Sequence, residues 1–168
     1  MPTLTKLNAD GSAALVEDVF TTVGLEDAIP ATGGVILSLP RFQAEGEALL
    51  ADGRKVGVRL EADEDVESLV QALPRLSVVA CTFPKYRDGR AFSAARLLRE
   101  RYGFTGEVRA VGEVLRELAN FMIRCGFDAF EIADGSTPEQ WAATAKRYRH
   151  VYQRAADARS PAFVEREA

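Results

Sequence analysis

The chain has 168 residues, 47% of them hydrophobic and 27% charged. That is the composition of one globular domain with a substantial core, not of a disordered or fibrous chain. A formal net charge of -4 argues against a general nucleic-acid binder. Two cysteines, Cys81 and Cys125, are too few for a disulfide scaffold or a Cys-only metal or iron–sulfur site. Both sit in apolar contexts and read as buried free thiols of a reducing compartment. Residues 1–10 carry neither a basic n-region nor an apolar h-region, and no apolar run approaches the roughly 20 residues of a membrane helix. The expectation is a soluble, cytoplasmic protein.

Residues 1–32 form an irregular N-terminal segment in this reading. Thr3–Leu7 suggests a short strand, 8–12 a polar turn, and 13–20 a short strand or a covering segment. The organised α/β part starts at Val35-Ile36-Leu37-Ser38-Leu39, an apolar strand of the buried kind. Pro40 opens a helix to about Asp52, and Gly53 stops it. Lys55 to Leu60 is a second strand. The acidic stretch Glu61, Asp63, Glu64, Asp65 and Glu67 suits a solvated helix N-terminus better than a metal site. Val66, Leu69, Val70 and Leu73 then fall at helical spacing before Pro74 closes the element.

Leu76 to Thr82 is the third and most apolar strand, and it empties into the polar loop Phe83 to Phe92. Ala91, Ala94, Ala95, Leu98 and Tyr102 mark one face of the next helix, ended by Gly103. Residues 106–111 give a fourth strand. Val114, Leu115, Leu118, Phe121, Met122 and Cys125 have the cleanest helical period in the chain, with Gly126 beyond. Phe127 to Ile132 is a fifth strand. Thr137-Pro138-Glu139-Gln140 has an N-cap, an N1 proline and a capping-box glutamine. Trp141, Ala145, Tyr148 and Tyr152 supply that helix's apolar stripe. Residues 153–168 are polar, alanine-rich and aperiodic, a flexible C-terminal tail.

Strand and helix therefore alternate five times between residues 35 and 150, giving a single α/β domain over 33–152 with a mainly parallel sheet. Sequentially adjacent strands would make it a partial βα-barrel-like sheet, and a reversal of order would make it a doubly wound three-layer sandwich. Either architecture gathers ligands at the carboxyl ends of the strands. Lys85, Tyr86, Arg87, Asp88, Arg90, Ser93, Asp134 and Ser136 meet there. A guanidinium such as Arg90 binds carboxylate, phosphate or sulfate through a fork. Asp88 reads first as the holder of its own loop, through an Asx turn or a pair with Arg90, and Ser93 as a helix cap or an anion contact.

The basic residues are clustered. Residues 84–101 carry six cations against two carboxylates, a balance of +4, so the remainder of the chain carries -8. No G-x-G-x-x-G, P-loop, C-x-x-C or H-E-x-x-H pattern occurs, so no cofactor or metal is indicated by motif. The single histidine, His150, lies late in a helix and suits a helix-end or solvent contact better than catalysis. Asp128 falls at the amino end of its strand and reads as structural.

The segment Phe83-Pro84-Lys85-Tyr86-Arg87-Asp88-Gly89-Arg90-Ala91-Phe92-Ser93 through Gly103 carries a family resemblance. With residues 106–112 and Arg124-Cys125-Gly126-Phe127-Asp128-Ala129-Phe130, it resembles an uncharacterised bacterial family usually encoded beside assimilatory sulfite reductase. The resemblance covers about residues 33–155. Members are often labelled oxidoreductases of sulfite reduction, a label that rests on gene neighbourhood. The resemblance implies an accessory role in sulfur assimilation, as partner or electron-delivery adaptor of the sulfite reductase haemoprotein. The alternative expectation is an enzyme that binds a small oxyanion or phosphorylated metabolite through Lys85, Arg90 and the 134–136 turn. A homodimer is left open. Where that family would place an acidic residue followed by glutamine, this chain has Arg116-Glu117-Leu118.

Overall fold

The computed structural model describes residues 3–8 and 11–166. Eight strands form one sheet: β1 Thr3–Leu7, β2 Ala13–Val16, β3 Phe20–Val23, β4 Gly34–Ser38, β5 Val56–Leu60, β6 Val78–Phe83, β7 Glu107–Gly112 and β8 Ala129–Ile132. Their spatial order is β2-β1-β8-β7-β6-β5-β4-β3. From β3 to β8 every neighbouring pair is parallel and sequential, whereas β1 is antiparallel to both β8 and β2. No reversal of order occurs among the described strands, so there is no doubly wound crevice. The parallel part has the strand order of the partial-barrel alternative.

The sheet has to curl. Seven strand spacings of about 4.8 Å would hold the two edges of a flat sheet about 34 Å apart. Yet residues 17–19 alone join edge strand β2 to edge strand β3, and four peptide steps reach at most about 14 Å. The result is a half-barrel-like sheet with a concave and a convex face. The three-residue connection crosses the concave side, where Asp18 meets Arg109 of β7.

Strand alternation assigns the two faces. Val35, Leu37, Val56, Val58, Val79, Cys81, Phe83, Val108, Ala110 and Phe130 point to the main core, together with helix residues such as Ala91, Leu98, Met122 and Trp141. Ile36, Val78, Ala80 and Val111 form a smaller cluster on the opposite face, with Phe20 packed on it. The helices therefore lie on the convex face.

The N-terminal segment differs from its expected irregular character. It supplies three strands, and β3 escapes a sequence reading because Phe20-Thr21-Thr22-Val23 is short and two-faced. Of the turn expected at 8–12, residues 9 and 10 lie outside the described residues, and Gly11 donates to the Asn8 carbonyl. The first helical stretch appears as expected, as α1 Leu39–Arg41, a π-type turn Phe42–Gly46 and α2 Glu47–Ala51, closed by Gly53 at φ 72.

The helix expected after the acidic stretch is instead two 3-10 turns, Val66–Leu69 and Leu73–Arg75. Pro74 lacks an N–H and its ring would clash with the Val70 carbonyl in a continuous α-helix. The next helix, α3 Arg90–Arg96, runs into a π-type turn Leu97–Arg101. The stretch expected as a clean helix over 114–125 shortens to a 3-10 turn at Arg116–Leu118 and α4 Ala119–Cys125, ended by Gly126 at φ 107. Its buried residues are Ala119, Asn120 and Met122, whereas Leu115 and Phe121 are exposed. The late start rotates the helix relative to the period read from its sequence.

Helix α5, Pro138–Ala145, has the expected capping box between Thr137 and Gln140. It buries Trp141 but stops before Tyr148 and Tyr152, both exposed. The C-terminal stretch expected as a flexible tail folds back through a Val151–Pro161 bridge, an Arg124–Asp157 ion pair and α6 Ala162–Glu165. Residues 167 and 168 lie outside the described residues. No helix among the described residues is long and apolar enough to cross a membrane.

Candidate functional site

The loop between β6 and α3 is fixed at both ends. Phe83 is fully buried, with Phe92 and Phe127 at centroid distances of 5.3 and 5.7 Å. Such ring pairs contribute about 0.5–1.5 kcal/mol each beyond burial, and they hold the start of α3 against the sheet. Gly112, at φ 93, packs so closely that a Cβ would collide with the Phe83 carbonyl oxygen. That contact lets the neighbouring Glu113 carboxylate accept the Tyr86 N–H at 3.1 Å. The loop is thereby tied to the end of β7.

Within the loop, Asp88 accepts the Arg90 N–H at 3.1 Å and the Arg90 guanidinium at 2.6–3.2 Å. The Arg90 side chain, followed by its backbone N–H, pulls the Asp88 carboxyl down to about 2. Asp88 in turn raises Arg90 through the same side-chain hydrogen bond. The fork expected to face an anion or a partner is therefore engaged inside its own loop. Lys85 and Arg87 are exposed, and Arg87 stacks on the Tyr86 ring while donating to its hydroxyl at 2.7 Å.

Ser93 does not cap the helix. Gly89 holds the N-cap position, and Ser93 lies exposed inside the first turn of α3. Ser136 is a scaffold residue: its hydroxyl donates to Asp134 at 2.6 Å and accepts the Trp141 indole N–H at 2.7 Å. Hydrogen bonds from Ser136 lower the Asp134 carboxyl. The structure thus places Lys85, Arg87, Asp88 and Arg90 together on one loop, whereas Ser136 belongs to the packing of α5.

Two cations on the strands complete the charged surface. Arg59 sits at the end of β5, where its Nε faces Thr82 at 3.1 Å and Glu61 at 2.9 Å. Deeper in the concave face, Arg109 is fully buried among carboxylates: Asp18 at 2.6 Å, Glu107 at 2.7 Å and Glu131 at 3.4 Å. The Phe20 ring lies 5.8 Å from its guanidinium, and Lys6 pairs with the other oxygen of Glu107 at 2.6 Å. Burial pulls the Arg109 pKa down, but the Asp18 hydrogen bonds and the Glu107 charge more than reverse it.

These residues were not among those the sequence singles out, although the signal was present. Arg109 interrupts the apolar run Val108-Arg109-Ala110-Val111, as Arg59 interrupts Val58-Arg59-Leu60. Strand alternation puts both, with Glu107 and Glu131, on the face away from the helices. Asp18 offers no such signal, because only the curl of the sheet brings it over Arg109.

The two cysteines stand apart from this surface. Burial pushes the Cys81 thiol up to about 12, with Arg99 only partly offsetting it. Burial also raises half-buried Cys125. Neither is set up as a nucleophile. His150 is exposed and faces Glu165 at 2.7 Å. Asp128 is structural, as its position suggests: it accepts the Val108 N–H at 2.9 Å and pairs with Arg99 at 2.9 Å. Among the described residues no group of three or more His, Cys, Asp or Glu is placed to hold a metal ion.

Fold and surface together define the class: an α/β protein with a curled, mostly parallel sheet, helices on the convex face and a charged carboxyl edge. The chain belongs to a bacterial family described as "Bacterial protein of unknown function (DUF934)", whose profile matches residues 57–163. That span takes in the β6–α3 loop, both strand arginines and the fold-back at Asp157. No curated protein matches the chain.

Proposed function

We propose that the protein is an accessory factor of assimilatory sulfite reduction that docks on the sulfite reductase haemoprotein and assists electron delivery to it. The link to that pathway comes from the sequence resemblance over about residues 33–155. One structural observation supports docking: a concentrated basic surface on an otherwise acidic chain. Lys85, Arg87, Arg90, Arg96 and Arg101 are exposed along the loop and its helix. Arg90 is matched by Asp88 and Arg96 by Glu100, and Arg101 stacks on Tyr102 near Glu67, which leaves Lys85 and Arg87 without an ion pair among the described residues. A positive patch of this kind steers an acidic partner and fixes its orientation.

A second reading places a small oxyanion or phosphorylated metabolite at the same edge as the substrate of an enzyme. Arg59 favours it, since its guanidinium lies at the same sheet edge, although Thr82 at 3.1 Å and the Glu61 carboxylate at 2.9 Å already engage its Nε. The engaged fork of Arg90 and the packing role of Ser136 weigh against it.

The test uses the reductase holoenzyme with its own electron donor, alone and with the purified protein. Complex formation is followed by surface plasmon resonance and sulfite turnover by donor oxidation. The reading expects a saturable complex, faster turnover, and affinity at least about tenfold weaker for K85E/R87E/R101E. No complex and unchanged turnover would refute it.

A further inference from the structure

At the opposite rim from the basic loop lies a cleft of about 950 Å³. It is bounded by the end of β1, the last turns of α4 and α5, and residues 156–159 of the fold-back. Its volume is at the upper end of what small-molecule sites occupy. Leu7, Ile123 and Tyr148 give it an apolar wall, and Tyr148 is half exposed.

The polar lining has an unequal charge balance. Five cations face the cleft, Arg99, Arg124, Lys146, Arg149 and Arg159, against two carboxylates, Asp128 and Asp157. The carboxylates are already committed, Asp128 to Arg99 at 2.9 Å and Asp157 to Arg124 at 3.1 Å. Among the described residues Arg159 donates only to the carbonyls of Tyr148 and Arg149, at 2.6 and 2.9 Å. Lys146 and Arg149 are exposed, and their side chains make no hydrogen bond or ion pair among the described residues. Three positive charges thus converge on one cavity without an anionic partner there, in a protein whose net charge is -4.

We propose that this cleft binds a small phosphorylated organic anion. The phosphate sits against Lys146, Arg149 and Arg159, and the organic body lies on the wall of Ile123 and Tyr148. Guanidinium and ammonium groups together match the charge and oxygens of a phosphate dianion. The volume exceeds what an inorganic ion fills, so the ligand has a body as well as a charge. Of the 85–101 segment only Arg99, already paired with Asp128, reaches the cleft, and Lys85 and Arg87 lie outside its lining, so occupancy of the cleft does not depend on docking there.

Isothermal titration of the full chain with inorganic pyrophosphate and with AMP tests this, the first probing charge alone and the second charge with a planar body. The expected result is saturable binding of AMP, with or without pyrophosphate, that weakens as salt rises; saturation by pyrophosphate alone would overturn the organic part of the ligand. K146E/R149E should bind at least about tenfold more weakly, with K146Q/R149Q intermediate and K85E/R87E unchanged. Both altered side chains are exposed, so far-ultraviolet circular dichroism should be unaltered, and K146Q/R149Q provides the comparison if the reversal disturbs folding. Absence of saturation by both probes up to about 10 mM, or equal binding by the parent and both Lys146/Arg149 double variants, would overturn the proposal.

Discussion

Replacing Arg109 with methionine should be among the most damaging single changes in the protein. The substitution keeps length and apolar bulk while deleting the charge. Arg109 is wholly shielded from solvent, whereas the carboxylates around it are 10–33% exposed. With the cation gone, three partly buried carboxylates face one another, Glu107 keeping only Lys6. Removing one partner of a buried ion pair costs about 3–5 kcal/mol, because the remaining charges stay desolvated and unpaired. For a chain of this size each kcal/mol lowers the melting temperature by about 2–4 °C, so R109M should melt about 6–20 °C below the parent. Urea denaturation and differential scanning calorimetry would measure both quantities. R109K should fall in between, since lysine keeps the charge but cannot hold Asp18 through two nitrogens as Arg109 does. The network also predicts coupling: D18N should destabilise the parent but cost less in the R109M background, where Asp18 has lost its partner. An R109M protein within about 1 kcal/mol of the parent would refute a structural role for this cluster. Equal D18N penalties in the two backgrounds would show that the strap is not held through Arg109.

Three further outcomes follow from local geometry. The Asp88 carboxyl should titrate near pH 2 by NMR, and R90A should return it towards the ordinary range of about 4. Because the folded value lies below the unfolded one, the Asp88–Arg90 contribution is present above about pH 4 and fades as pH falls towards 2; a parent midpoint near 4 would rule the pairing out in solution. The Cys81 thiol should resist alkylation at neutral pH and react at the rate of global unfolding, with Cys125 labelled sooner. Labelling of Cys81 in the native state as fast as Cys125 would contradict its burial. Thr137→Ala removes the hydroxyl that caps α5 and should cost about 0.5–2 kcal/mol in denaturant melts, while Thr137→Ser should restore most of it.

Several elements could be recognised from local sequence because local chemistry decides them. Gly53, Gly103 and Gly126 end helical stretches, and the Thr137–Gln140 box starts one, through backbone conformations and hydrogen bonds that span a few residues. The apolar runs at 35–37 and 78–81 are buried strands because both faces of this part of the sheet are covered. The 66–75 stretch is not a continuous helix because Pro74, the residue expected to close it, also breaks its last turn. Tyr148, Tyr152 and Phe121 were read as core from their period, but the helices carrying them stop early or start late.

The functional surface divides along the same line. That a basic loop follows the most apolar strand is set by the order of residues 76–101, and no folding is needed to see it. Whether Arg90 is free or engaged depends on a contact two residues long, so Asp88 already suggested the answer. The pairing of Asp18 with Arg109 spans 91 positions, and the cleft joins residues 7–11 with 120–128 and 145–159. Local sequence determined the strands, their caps and the charged loop, since hydrophobic period and turn chemistry act over a few residues. Tertiary structure alone decided the curl of the sheet, the charged interior and the second cleft, because closure by a three-residue strap brings together groups that no local pattern connects.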